Sequence, residues 1–263
     1  MAASVVHQAV DSAFLGGLVA AAATALGALA GVVGRDLPAR AKDAMLGFGG
    51  GVMLAAVSFS LVIPGIAAAR AAQAGPWMAG LTVGGALVAG AAFVMWLNAI
   101  VPHEHFVKGV EGMSPERVRR AWLFVFAICL HNLPEGFAIG VGYAGGESGG
   151  QALTTGIAIQ DIPEGLVVTL SLIAAGYRRR HAVLAGVGSG IPEPLGALAA
   201  AGLVTSLPYL LPVGLGFAAG AMLFVISHEL IPESHRSGHE SFATTGLIIG
   251  FVTMMLLDTA LAG

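Results

Sequence analysis

Long apolar runs alternate with short polar or Gly/Pro-containing breaks along the whole chain. A membrane-spanning helix needs about 20 mostly apolar residues, and eight stretches reach that length, at approximately 12–34, 44–69, 78–101, 120–143, 150–176, 181–206, 208–231 and 242–262. The pattern predicts an all-α integral membrane protein of eight transmembrane helices, a single transmembrane domain over 1–263. The first stretch is read as a span and not as a signal peptide, because no basic segment precedes it and it exceeds the usual ~7–15-residue apolar core of such peptides. Spans six and seven meet at Ser206, Leu207 and Pro208, so a tight turn is expected there.

Composition agrees with the pattern. Of 263 residues, 56% are apolar and only 10% charged, against roughly 25% charged in a soluble domain; lipid is the solvent that such a surface suits. The 39 glycines and the many alanines let helices approach closely through small faces. Cys129 is the single cysteine, which excludes an intrachain disulfide, and a net charge of −3 gives no reason to expect nucleic acid.

Charge distribution orients the chain. Arg35, Arg40 and Lys42 follow the first span, Lys108, Arg117, Arg119 and Arg120 the third, Arg178, Arg179 and Arg180 the fifth, and Arg236 the seventh, so 11 of the 12 basic residues fall in odd-numbered loops. Basic loops stay cytoplasmic. Both termini are therefore expected outside, in a cell membrane. The longest loop, Pro102 to Arg119, carries His103, Glu104 and His105.

Four carboxylates, Glu135, Asp161, Glu164 and Glu193, lie inside predicted spans that contain no central lysine or arginine. A charged side chain at the bilayer centre costs ~2.5–3.5 kcal/mol, so either burial protonates these acids or a bound cation supplies the missing charge. The flanking residues favour the cation. Span four reads His131-Asn132-Leu133-Pro134-Glu135-Gly136 and span five Gln160-Asp161-Ile162-Pro163-Glu164-Gly165. Positions i and i+4 share a helix face, placing His131 with Glu135 and Gln160 with Glu164, while Asn132 and Asp161 face a neighbouring volume. Two such helices can enclose two adjacent ion sites bridged by Glu135 and Glu164. Each proline removes a helix hydrogen bond and is expected to bend its helix. The Pro-Glu pattern recurs at Pro192-Glu193, with the three glutamates 29 residues apart at each step, so Glu193 is expected at similar depth as a further ligand or charge partner.

At these motifs the chain resembles the ZIP (Zrt-/Irt-like protein) family of zinc and iron transporters, most closely its bacterial members. The resemblance covers all eight spans and is most specific at HNxPEG and QDxPEG. It implies import toward the cytoplasm by alternating access, one helix bundle sliding against another, with Zn²⁺ or another divalent transition metal as the bound substrate. It implies His131, Glu135, Gln160 and Glu164 as ligands of a transport site between helices four and five, with Asn132, Asp161 and Glu193 joining Glu135 and Glu164 around a second ion. Met53 matches a methionine that approaches the first metal in the bacterial members. Divalent metal ions and the lipid bilayer are the expected partners, and a homodimer is carried as the assembly to test. The histidine-rich cytoplasmic loop of many eukaryotic members is much shorter here.

Six histidines fall on the predicted cytoplasmic side, His103, His105, His181, His228, His235 and His239. With nearby glutamates they could relay metal out of the membrane, and His228 and Glu229 are the strongest candidates. Asp258, near the outer end of span eight, reads equally as a cation attractor or as a snorkelling side chain. The enzyme reading, an intramembrane metalloprotease, expects His-Glu-x-x-His, but His228-Glu229 is followed by Leu230, Ile231 and Pro232. A serine nucleophile at Ser189 has no free histidine at its depth. A Mg²⁺ or Ca²⁺ carrier would use the same acids, but those ions prefer all-oxygen shells; His131 and Met53 add softer donors.

Overall fold

The computed structural model describes residues 2–33, 37–100 and 115–261. These are helical almost throughout, with no strand among the described residues. The helices are α1 (Ala2–Val33), α2 (Ala39–Ala71), α3 (Pro76–Ile100), α4 (Pro115–Gly145), α5 (Glu147–Ala174), α6 (Arg179–Ser206), α7 (Pro208–His235) and α8 (Glu240–Leu261). Among the described residues seven of these helices, all but α4, are apolar and long enough to cross a membrane. Large apolar side chains such as Leu15, Leu26, Leu81, Ile248 and Leu256 are exposed on the outer surface, as befits an integral membrane protein whose exterior meets lipid.

Two four-helix groups make up the bundle. In one, α1 packs along α5 and α6, and α4 packs along α5 and α6; in the other, α2 packs along α8 and α7, and α3 along α7. The groups meet where α5 touches α2 and α8 and where α4 touches α7. Glycine sets the closest approach. A Cβ at Gly51 would overlap the Leu247 carbonyl, and one at Gly250 the Phe48 carbonyl, so α2 and α8 are in backbone contact.

Three helices depart from regular α geometry, and proline explains each. Pro134 and Pro163 sit inside helices that continue through them. The interruption falls instead in α6, between Ser189 and Pro192, so Glu193 occupies the first turn of a half-helix that Pro192 opens. In α2 and α7 a π-helical segment, Ala56–Val62 and Ile226–Leu230, runs directly into Ile63-Pro64 and Ile231-Pro232. There Ile63 donates to the Ser58 carbonyl and Ile231 to the Ile226 carbonyl, five residues back. A proline cannot donate, and its ring crowds the carbonyl four residues before it. Widening the preceding turn relieves that crowding and re-aims its side chains.

Candidate functional site

The first group of helices buries Glu135 of α4 together with Asp161 and Glu164 of α5. Each offers a carboxylate oxygen within 4.8 Å of the others, and Glu135 and Asp161 have no solvent exposure. Two unit charges at that separation repel by roughly 3–4 kcal/mol even at an effective dielectric of 20. Backbone proximity forces the cluster together. A Cβ at Gly136 would meet the Glu193 backbone, and one at Gly165 the Thr24 carbonyl of α1, so glycine after each Pro-Glu lets α6 and α1 close over the acids.

Neighbouring polar groups are partly spent on one another. The Gln160 amide donates to Glu135 Oε1. The Asn132 amide nitrogen donates to the Ser189 carbonyl (2.8 Å) at the α6 interruption and to Glu193 Oε1 (3.1 Å), and the Thr24 hydroxyl donates to the same Oε1 at 2.9 Å. His131 Nε2 lies 2.7 Å from Glu229 Oε2 on the π segment of α7, a contact that joins the two helix groups. With Nε2 carrying the proton toward that carboxylate, the imidazole lone pair resides on Nδ1.

What remains is one-sided. His131 Nδ1, Asn132 Oδ1, Glu135 Oε2, Gln160 Oε1, both oxygens of Asp161, Glu164 Oε1 and Glu193 Oε2 are buried without a hydrogen-bond partner. Buried polar atoms are nearly always satisfied, and a group of orphans at one place asks for a missing partner. Each of these atoms has a lone pair to give; the Asn132 amide spends both N–H groups on Ser189 and Glu193, and the Gln160 amide donates to Glu135. A shell of converging acceptors, carboxylate-rich and including an imidazole nitrogen, fits a cation and repels an anion; mixed N and O donors suit divalent transition metals.

The remaining candidates are placed variously. Met53 is buried in the apolar core. Its helix reaches the cluster one turn earlier, where a Cβ on Gly49 would lie 3.9 Å from the Gln160 Cβ. Glu229 joins the site through His131, whereas the adjacent His228 is exposed and stacks on Phe224, with ring centroids 4.9 Å apart. His235 Nδ1 sits 3.0 Å from both the Ser234 hydroxyl and the Ile231 carbonyl, His239 Nδ1 sits 3.0 Å from Asp43 Oδ2, and His181 is exposed. His103, Glu104 and His105 lie outside the described residues. Asp258 accepts a 2.6 Å hydrogen bond from Ser60, a link between α2 and α8 that neither sequence reading of this acid contained. Ser189 donates its hydroxyl to the Gly186 carbonyl.

One participant went unnoticed in the sequence. Thr24 is the only polar side chain between Ala13 and Val33, and a lone hydroxyl in so uniform a span was the available signal.

Known proteins resemble this chain along most of its length. The family profile described as ZIP Zinc transporter matches residues 107–258. The chain is 52% identical over 253 residues to the zinc transporter ZIPB of Bordetella bronchiseptica, covering 96% of this chain and 82% of that one. It is 42% identical over 245 residues to the zinc transporter GufA of Myxococcus xanthus, covering 93% and 96%. To the zinc transporter ZupT of Chlorobium luteolum it is 32% identical over 257 residues, covering 94% and 96%. An all-helical membrane bundle with HNxPEG and QDxPEG at its buried acids, matched along nearly its whole length by such relatives, belongs to the ZIP zinc transporter family.

Proposed function

We propose that this protein carries divalent transition metals, Zn²⁺ foremost, across the cell membrane into the cytoplasm through the buried acidic cluster. The observation that carries the proposal is the set of converging, unpartnered acceptors on α4, α5 and α6. His131, Glu135, Gln160 and Glu164, with Met53 from α2, form the transport site in this reading. Asn132, Asp161 and Glu193 share Glu135 and Glu164 with a second ion. The membrane is crossed eight times with both termini outside, as the basic loops indicate.

Alternating access follows from the two helix groups. The acids ride on α4, α5 and α6, while Glu229 belongs to α7 in the other group. Displacing one group past the other breaks the 2.7 Å His131–Glu229 contact; in the arrangement described here, Glu229 is the acceptor placed to take metal from the site. His228, exposed beside it, is a further stop on the way to the cytoplasm. A homodimer is part of the proposal, and the outward face of α3, where nothing lies within 4 Å of a Cβ at Gly80 or Gly84, offers a small-residue surface for it.

Uptake into proteoliposomes tests the reading. Zn²⁺ and Cd²⁺ are expected to enter and to compete, with Mg²⁺ and Ca²⁺ excluded at equal concentration. His131→Asp converts the shell to oxygen donors and is expected to narrow the Zn²⁺ over Mg²⁺ preference by at least about tenfold, a difference of ~1.4 kcal/mol. Unchanged selectivity in that variant would remove His131 from the shell, and equal uptake of Mg²⁺ by the wild type would remove transition metals from the function.

A further inference from the structure

Glu193 stands apart from the tight three-carboxylate group formed by Glu135, Asp161 and Glu164. Whether its free oxygen reaches a second ion therefore depends on how the carboxylate is held. It lies in the first turn of the half-helix that follows the α6 interruption. Two donors converge on one of its oxygens: the Thr24 hydroxyl at 2.9 Å and the Asn132 amide at 3.1 Å, both on Oε1. Oε2 is left unpartnered and buried.

Thr24 is itself held in place. It is 1% exposed; its carbonyl lies against Gly165, the residue after Glu164, and its Cβ would lie 3.2 Å from a Cβ on Gly190 at the α6 interruption. It thus touches the segments that carry Glu164 and Glu193. Its hydroxyl is 3.4 Å from the Ala20 carbonyl, so the shorter bond to Glu193 is its principal use. A valine would fill the same space without the donor.

We infer that Thr24 is a positioning residue for the second ion: by occupying Glu193 Oε1 it turns Oε2 toward the cluster, and Asn132, tied to the same oxygen, presents its Oδ1 from the other side. This rests on the reading of Glu193 as a ligand. Donors behind a ligand commonly account for 10–100-fold in metal affinity, and the weaker of two bound ions should show that loss here while the tighter one does not.

Cd²⁺ titration calorimetry on the full-length protein in nanodiscs, paired with Zn²⁺ uptake kinetics, tests the assignment. Wild type is expected to bind two equivalents and Glu193→Gln to weaken one of them. Thr24→Val and Thr24→Ala should weaken that same equivalent about 10–100-fold and raise the uptake KM, while Thr24→Ser restores both to within about threefold. Alanine keeps the Cβ packed against Gly190, so it carries the test if valine does not fold. Wild-type binding in the hydroxyl-free variants alongside an impaired Glu193→Gln would overturn the role of Thr24. Failure of serine to rescue would do the same, since it would point to lost packing. Wild-type binding by Glu193→Gln would overturn the ligand reading beneath it.

Discussion

Glu135→Gln is expected to raise the melting temperature of the metal-free protein by several degrees while reducing Zn²⁺ uptake to about 1% of wild type or less. The two effects have opposite signs because the same carboxylate is costly without metal and indispensable with it. Glu135 has no solvent exposure, spends one oxygen on Gln160 and leaves the other without a partner beside Asp161 and Glu164. Burying it in a bilayer costs ~2.5–3.5 kcal/mol, before its repulsion from two neighbouring acids is counted. Glutamine preserves the shape and an acceptor for Gln160 while removing the charge. Metal reverses the balance: an ion at a hundred times its Kd stabilises the wild type by ~2.7 kcal/mol, and that gain should vanish in the variant. Thermal denaturation with and without Zn²⁺, alongside proteoliposome flux, reads both quantities. A lower metal-free melting temperature would make Glu135 a structural clamp between helices.

The helices were legible because the bilayer leaves the backbone no alternative: every N–H and C=O must be satisfied within the segment. Hydropathy located them within a few residues wherever helix and hydrocarbon end together. It failed where they do not. α1 begins at Ala2, ten residues before the predicted span, because His7, Gln8 and Asp11 continue the helix with exposed polar side chains. Likewise α4 starts at Pro115, a residue suited to a first helical position, and the arginines assigned to a loop ride on its opening turns. The interruption in α6 was written in Gly188-Ser189-Gly190-Ile191-Pro192, but an average over 20 residues passes across it. The equal spacing of the three Pro-Glu pairs spoke only to their depth, not to their helix context: two lie inside continuous helices and the third opens a half-helix.

The acids themselves were legible because their cost in lipid is local. Their partners were not. A helix-face argument pairs His131 with Glu135 on α4, yet it cannot say which neighbouring helix looks back. The structure joins His131 to Glu229, 98 residues away, and Thr24 to Glu193, 169 residues away. Glu229 is further obscured by the π turn before Pro232, where the regular i, i+4 face pattern does not hold.

Gly156→Leu should separate translocation from binding. Gly156 lies on α5 where the two helix groups meet, and a Cβ there would press on Met254 Sδ of α8, with Met254 Cε at 3.2 Å and Val52 Cγ1 of α2 at 3.7 Å. It is not one of the unpartnered acceptors, so a larger side chain leaves the ligand set intact. Methionine is the most adaptable of core neighbours, and the overpacking cost of ~1–3 kcal/mol is one that a bundle this size can bear in a single resting arrangement. Sliding is another matter, because a leucine wedged between Met254 and Val52 must be carried past each side chain along the path. Uptake is therefore expected to fall at least about tenfold, a barrier increase of ~1.4 kcal/mol, while the Zn²⁺-induced rise in melting temperature persists. Gly202→Leu supplies the comparison: it adds the same bulk to α6 of the same group, at a position with nothing within 4 Å, and should leave flux within about twofold. Wild-type flux in Gly156→Leu would mean that the groups do not move along this surface, and a lost thermal shift would mean that the wedge had distorted the site it was meant to spare.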